Sequence, residues 1–381
     1  MKVLYASHFG GLGGAERSLL ELMLAVRSLG IEPTLLCPQG SLSRLTSKHG
    51  IPTEHWPVHT ITRRRGYDAW WRSVPKIIAG WSKLNGLANR LQPDILHVNS
   101  SQAMLWAGPA GWRRQSCPVV WHWRDFHRPG HCARGMARTA NLIVTISRCV
   151  RDLVTPAMAG TVRVVMVENG AADFAPDNAA RGAGERAALG VASRVPLIAM
   201  AGQSVPRKGH SVLLQALSQL IRRCPSAQAV LLCTEHDKQS AEYTRKLRQQ
   251  AADLGLGRNV RITVGNDDIG PVLSAADVIA VPSLREPFGR IAVEAMLAER
   301  PVVASDVDGL REIVTEGESG TLVQPGNPAA LADGLLRVLE NGDWWKSRMP
   351  LARLRALRLY SPQRVGAEIS MLYNQLKGNS R

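Results

Sequence analysis

Phenylalanine and tyrosine are scarce, four and five among 381 residues. Acids are also short: 31 Asp and Glu face 47 Lys and Arg, a formal net charge of +16. No apolar run reaches the roughly eighteen residues of a membrane-spanning helix. The six cysteines contain no CxxC pair, which removes the usual redox and zinc-ribbon frameworks. They are expected as reduced cytoplasmic thiols, mostly in the core. Glycine and proline, 34 and 22, are too few for a fibrous or low-complexity chain. The first apolar run, Val3-Leu4-Tyr5-Ala6, is too short for a signal peptide and reads as a strand.

What is present is a hydrophobic fraction of 45% with 20% charged residues, enough for sizeable cores. The length predicts two or three domains at roughly 150 residues each. The charge is uneven. Residues 1–170 hold 21 basic and 9 acidic residues, a net +12, against 26 and 22, a net +4, in the remainder. Eight of the ten tryptophans also lie in the first 123 residues. A basic, tryptophan-rich half points to an anionic membrane surface or nucleic acid, the second being disfavoured; the plainer reading is a basic, solvated domain.

Strand-like runs alternate with helical spacing throughout. In the first half these runs are Val3–Ala6, Thr34–Cys37, Ile95–Val98, Val119–Trp121 and Leu142–Thr145. A turn at Asn169-Gly170 precedes residues 171–194, which lack a clear period and read as a linker. A second series follows: Pro196–Ala201, Ala229–Cys233, Val260–Val264, Val278–Val281, Pro301–Ala304 and Gly320–Val323. The pattern predicts an α/β protein of two doubly wound, Rossmann-like domains, 1–170 and 195–360, with a ligand cleft between strand ends. The last helix, near 362–376, places Val365, Ile369, Leu372 and Tyr373 on one side.

Three loops carry chemistry. Ser283-Leu-Arg-Glu286-Pro-Phe288-Gly289-Arg290-Ile291-Ala-Val-Glu294 follows a strand and opens a helix. Its N–H groups and Arg290 form an anion site, with Glu294 beyond it suited to ribose hydroxyls. Gly202-Gln-Ser-Val-Pro-Arg207-Lys208-Gly209 puts two cations at a helix start, as a diphosphate requires. Gly10-Gly-Leu-Gly13-Gly14-Ala-Glu16 allows close backbone approach after the first strand, without the dinucleotide fingerprint spacing.

Together these motifs resemble the family-4 retaining glycosyltransferases of the GT-B fold. The resemblance runs on through Pro301-Val-Val-Ala-Ser-Asp, Glu312-Ile-Val, Gly317-Glu-Ser-Gly-Thr-Leu-Val and Pro325-Gly, strongest over 195–340. It implies an acceptor domain, a donor domain, and a helix 361–381 packing back on the first domain. Glu294 would hold the donor ribose and Glu286 the transferred sugar. Lys208, with Arg207 or Arg290 and the amides near Gly289, would bind the diphosphate, Gly13 and Gly14 lying beside diphosphate and acceptor. The family histidine near the anomeric centre would be His122, or Arg124 if the register is aligned on Asp125. Gln203 replaces an arginine common in the family. Glu299 and Asp308 stand where glycine is usual, so Glu299 would cost a few tenths to about 1 kcal/mol in a left-handed position.

The implied activity is retaining transfer from a nucleotide-sugar to a glycan or lipid-linked acceptor at the cytoplasmic membrane face, in bacterial surface polysaccharide synthesis, with no metal cofactor. The alternatives are another GT-B enzyme such as an epimerase, or a non-catalytic sugar-nucleotide or polyanion-binding protein. Asp306-Val-Asp308 is expected to serve its loop rather than manganese, and His122, His127, His131 and Cys132 lack zinc spacing. For membrane docking the candidates are Arg63, Arg64, Arg65, Trp70, Trp71, Arg72 and Lys76. Pro75 predicts that a continuous helix starts near Ser73.

Overall fold

The structure is a computed structural model that describes residues 1–58, 67–107, 117–173, 178–265 and 268–378, the side chains of 67–74, 76, 178 and 179 aside. It divides into two units, 1–170 with 362–381, and 171–361. The first contains a seven-stranded parallel sheet in the order β3-β2-β1-β4-β5-β6-β7. Its strands are β1 (Lys2–Ala6), β2 (Glu32–Cys37), β3 (Thr53–His55), β4 (Ile95–Val98), β5 (Val119–Trp123), β6 (Leu142–Thr145) and β7 (Val164–Met166). The second contains a six-stranded parallel sheet, β10-β9-β8-β11-β12-β13. These are β8 (Leu197–Gln203), β9 (Gln228–Thr234), β10 (Val260–Val264), β11 (Val278–Val281), β12 (Val302–Ser305) and β13 (Gly320–Val323).

The central strands β4, β5, β6, β11 and β12 are buried along their whole length. Helices on both faces of a parallel sheet leave no polar side, so such strands read as unbroken apolar runs. In each sheet the strand order reverses once, between β1 and β4 and between β8 and β11. A doubly wound sheet opens a crevice at that switch, outside the carboxyl ends of the strands.

The sequence expectation differs from the structure in three places. The stretch 171–194, read as a linker, carries the helix Asn178–Leu189 inside the second unit. It is held without an apolar stripe. Gly182 packs so close that a Cβ there would lie 2.5 Å from the Ser274 carbonyl oxygen. Arg186 donates to Ala275 O at 2.8 Å and to Asp277 Oδ2 at 2.7 Å. The helix expected from Ser73 runs from Tyr67 to Leu91 through Pro75. The short edge strands β3 and β7 are additional: β3 has no apolar run, whereas β7 falls in the run Val164–Val167, which the sequence expectation does not include.

The final helix, Pro362–Gly378, belongs to the first unit, where Val365, Ile369 and Tyr373 join the core of Leu19, Met23, Val26 and Leu35. Gly366 makes that approach: a Cβ there would sit 2.7 Å from Ala25 Cβ. None of the six cysteines is in a disulfide.

Candidate functional site

Both glycine-and-cation loops fall at the strand-order switch of the second unit. In the second unit the turn Pro206–Lys208 follows β8 and the loop 282–289 follows β11, its neighbour in the sheet. The two loops are stitched by Leu284 N–H donating to Arg207 O at 2.8 Å. Gly209 closes the turn at φ +76°, and a Cβ on it would lie 1.9 Å from Pro282 O. Only glycine meets both demands.

This packing brings together residues far apart in sequence. Lys208 Nζ donates to Glu286 Oε2 at 2.6 Å, and Ser283 Oγ donates to the same oxygen at 3.0 Å. The Lys208 side chain is 17% exposed and that of Glu286 7%. Lysine keeps three N–H donors, so Lys208 can serve Glu286 and a phosphate oxygen together. Gly202 leaves the space over Lys208 open: a Cβ there would meet its Cδ only at 3.9 Å. Behind the turn, His210 is buried, and desolvation with the Lys208 charge lowers its pKa to about 4. Arg207 is exposed, its carbonyl bound to the neighbouring loop.

Gly289 is left-handed at φ +105° and begins the helix Arg290–Leu297. Leu310 Cδ2 would stand 2.7 Å from a Cβ on it. Phe288 is buried against Tyr360, and Ile291 is half-buried. Arg290 Nε donates to Glu294 Oε1 at 2.7 Å within a pair 12% and 5% exposed. Arg290 is thus oriented by the carboxylate one turn on. Asp308, at φ +40°, accepts from Glu286 N at 3.1 Å and pairs with Arg285, while Asp306 pairs with Arg311. Both aspartates serve their loop. Among the described residues no cluster of three or more His, Cys, Asp or Glu side chains converges as metal ligands would.

In the first unit Gly13 caps the helix Gly14–Ser28, and Glu16 reaches back to accept from Gly13 N at 3.2 Å. Burial raises the Glu16 pKa to about 7 against the pull of its own and Gly13's N–H groups and of Arg124. At the end of β5 the two candidates for the family histidine separate. His122 lies in the core, 2% exposed, and not at the rim. Its Nδ1 is 3.1 Å from His97 Nε2, and the Tyr373 hydroxyl is 2.6 Å from His97 Nδ1 and 3.1 Å from the Tyr5 hydroxyl. Arg124 Nη2 donates to His122 Nδ1 at 3.4 Å. A guanidinium only donates, so Nδ1 accepts, His97 donates through Nε2, and Tyr373 donates to His97. Both imidazoles are neutral. Burial, then the Arg124 charge, lowers His97 to about 3 and His122 well below its usual value.

Arg124 stands one pleat nearer the rim. It donates to Asn99 Oδ1 at 2.7 Å and also to Asn169 Oδ1. Asn99 follows β4 and Asn169 follows β7. The partners Asn99 and Asn169, and the burial of Glu16, escaped the motif reading; the one available signal was Asn99 directly after the run Ile95–Val98.

The docking residues Arg63, Arg64 and Arg65 lie outside the described residues, as do the side chains of Trp70, Trp71, Arg72 and Lys76. Further along that helix Ile77, Leu84 and Ala88 are buried, and Lys83 and Arg90 pair with Glu54. No helix among the described residues is long and apolar enough to cross a membrane.

Comparison with known proteins adds the following. A family model described as Glycosyltransferase Family 4 matches residues 12–171, and one described as Glycosyl transferases group 1 matches 184–353. A D-inositol 3-phosphate glycosyltransferase of Corynebacterium urealyticum is 33% identical over 240 residues, 62% of this chain and 56% of that protein. A phosphatidyl-myo-inositol mannosyltransferase of Mycobacterium tuberculosis is 39% identical over 181 residues, 46% of this chain and 45% of that protein. The chain thus spans about half the length of the curated relatives it matches. The crystal structure of Anabaena Alr3699/HepE with UDP and glucose superposes with a TM-score of 0.82 at 24% identity, over 98% of this chain and 99% of that one. That likeness gives the fold, GT-B. With the two family models matched in tandem over most of its sequence, the chain belongs to the family-4, group 1 glycosyltransferases.

Proposed function

We propose that this protein transfers a glycosyl group from a nucleoside-diphosphate sugar to a glycan or lipid-linked acceptor, with retention of configuration. We place that reaction at the cytoplasmic face of a membrane, in bacterial surface polysaccharide synthesis. The observation that carries this reading is the Lys208–Glu286 pair across two loops at one strand-order switch, with Arg290–Glu294 on the helix that follows. A diphosphate leaving group needs fixed cations and backbone dipoles where its negative charge grows. Lys208, Arg290 and the N–H groups after Gly289 answer that need, and no resident metal enters the proposal.

Glu294 would accept from the donor ribose, and Glu286 would steady the oxocarbenium-like sugar. As the anomeric carbon–oxygen bond breaks, its electron pair passes to the diphosphate. The acceptor hydroxyl then attacks from the same face and gives its proton to the departing phosphate. In the first unit, Arg124, directly after β5 and buried between Asn99 and Asn169, supplies a cation for a phosphate-bearing acceptor, the class that the inositol-phosphate names of the relatives also favour.

Calorimetry and thermal shift with UDP-, GDP- and ADP-sugars, on wild type and Glu294→Ala, test the reading. One nucleotide class should bind, and the substitution should weaken it about tenfold or more, as expected for losing charge-assisted hydrogen bonds. Folded wild-type protein that binds none of them overturns the transferase reading in favour of a non-catalytic polyanion-binding role.

A further inference from the structure

The helix Gly342–Tyr360 has two apolar faces. Trp345, Met349, Ala352, Ala356 and Tyr360 are buried in the second unit. On the other side Leu351 is 71% exposed, Leu354 62% and Trp344 42%. At 3.6 residues per turn these three fall within an arc of about 120° that also carries Arg348, Arg355 and Arg358. No acidic residue of the helix lies in that arc; Asp343, just outside it, pairs with Lys346. Single exposed leucines are ordinary, but three large apolar side chains interleaved with three arginines on one helix face are not.

The charges there are only lightly neutralised. Arg348 lies over the Trp344 ring, 3.7 Å from its centroid, and Arg355 has the exposed Glu318 at 3.9 Å. Neither Arg348 nor Arg358 has a carboxylate partner among the described residues. Beside the helix is a hollow of about 490 Å³ lined by Arg348, Arg355, Ser347, Ser319, Leu351 and Glu318. Two guanidinium groups beside a leucine suit a phosphate headgroup whose acyl chains lie against the apolar arc, and the one carboxylate of the hollow, Glu318, is largely solvated.

We propose that this face docks on an anionic phospholipid bilayer, with Trp344, Leu351 and Leu354 entering the interface and Arg348, Arg355 and Arg358 engaging lipid phosphates. Arginine stems lie along apolar surface while their heads reach phosphate, which allows both residue types to share one arc. The inference rests on the membrane-face reading above and adds a contact separate from Arg63–Arg65. The chain's net charge of +16 gives it an anionic preference.

The test is sedimentation of the whole chain with phosphatidylcholine vesicles, with and without phosphatidylglycerol. Wild type should partition to the anionic vesicles. R348Q/R358Q should lower that partition about tenfold to thirtyfold, and L351E/L354E about tenfold or more. Leu351, Leu354 and Arg358 are exposed and Arg348 is half-buried over Trp344, so far-UV dichroism and donor binding by calorimetry should stay as in wild type. Wild-type partition by either double variant overturns the inference. If R63Q/R64Q/R65Q alone abolishes partition, this face fails while the membrane reading stands. If wild type binds no vesicle, both fail, and an acidic protein becomes the occupant of the face.

Discussion

Lys208→Met separates the two roles of the Lys208–Glu286 pair. The substitution keeps the stem and removes the ammonium, leaving the buried Glu286 carboxylate with Ser283 as its remaining side-chain donor. Breaking a fully buried ion pair costs about 3–5 kcal/mol. Here the lysine retains 17% exposure, so water screens part of the loss and about 2–3 kcal/mol is expected. The double variant K208M/E286Q removes the orphaned charge and should return to within about 1 kcal/mol of wild type. Donor affinity should fall about tenfold to a hundredfold in both variants, because the phosphate contact is gone in both. Urea unfolding, fitted as two transitions for the two units, reads stability, and calorimetry with the donor reads affinity. If K208M destabilises the second unit by less than about 0.5 kcal/mol, or if adding E286Q recovers nothing, the pair is not the desolvated contact described here.

Gly209→Ala should be severe, at about 3 kcal/mol or more with loss of donor binding, since its Cβ would meet Pro282 O at 1.9 Å in a left-handed backbone; thermal unfolding checks it. Glu299→Gly should stabilise by up to about 1 kcal/mol: Glu299 ends the Arg290–Leu297 helix at φ +58°, and its long 3.8 Å contact with Arg353 offsets little. The first unit should weaken in acid. His8, lowered to about 4 by burial, His97 and His122 have depressed folded pKa values, so between pH 6.5 and 4.5 the unfolded state binds about three more protons there, whereas Glu16, raised to about 7, holds about one more in the fold. The net of about two protons is roughly 2.7 kcal/mol lost per pH unit as pH falls, and E16Q should steepen the slope in urea titrations at fixed pH values.

The strands that proved easiest to read were those buried on both faces, such as Ile95–Val98 and Val278–Val281, where an apolar run admits no other packing. Three-residue edges such as Thr53–His55 have no period to detect. The Asn178–Leu189 helix was illegible for another reason: a glycine's close approach and one arginine fork hold it, and neither leaves a stripe. At the site, the separate loops were visible as glycines beside cations. Their junction was not, because Lys208 and Glu286 meet through the adjacency of β8 and β11. Likewise the sequence offered His122 for the family histidine, with Arg124 as the alternative register. They share one face of the strand and differ in their partners, His122 joining the Tyr373–His97 chain and Arg124, two residues on, bonding Asn99 and Asn169.

The discontinuity of the first unit bears on how the protein emerges from a ribosome. Tyr373 stands against Tyr5 and His97, and Val365 and Ile369 complete a core begun by the first strand. That core must wait for the whole of 171–361 to be made, about 10–40 s at ordinary elongation rates. The second unit is continuous and has all its strands by then. The usual order of domain folding during synthesis is therefore inverted: the half made last closes first. Through that interval the apolar surface of Leu19, Met23 and Val26 awaits its cover, which makes nascent first-unit chains the natural clients of a chaperone.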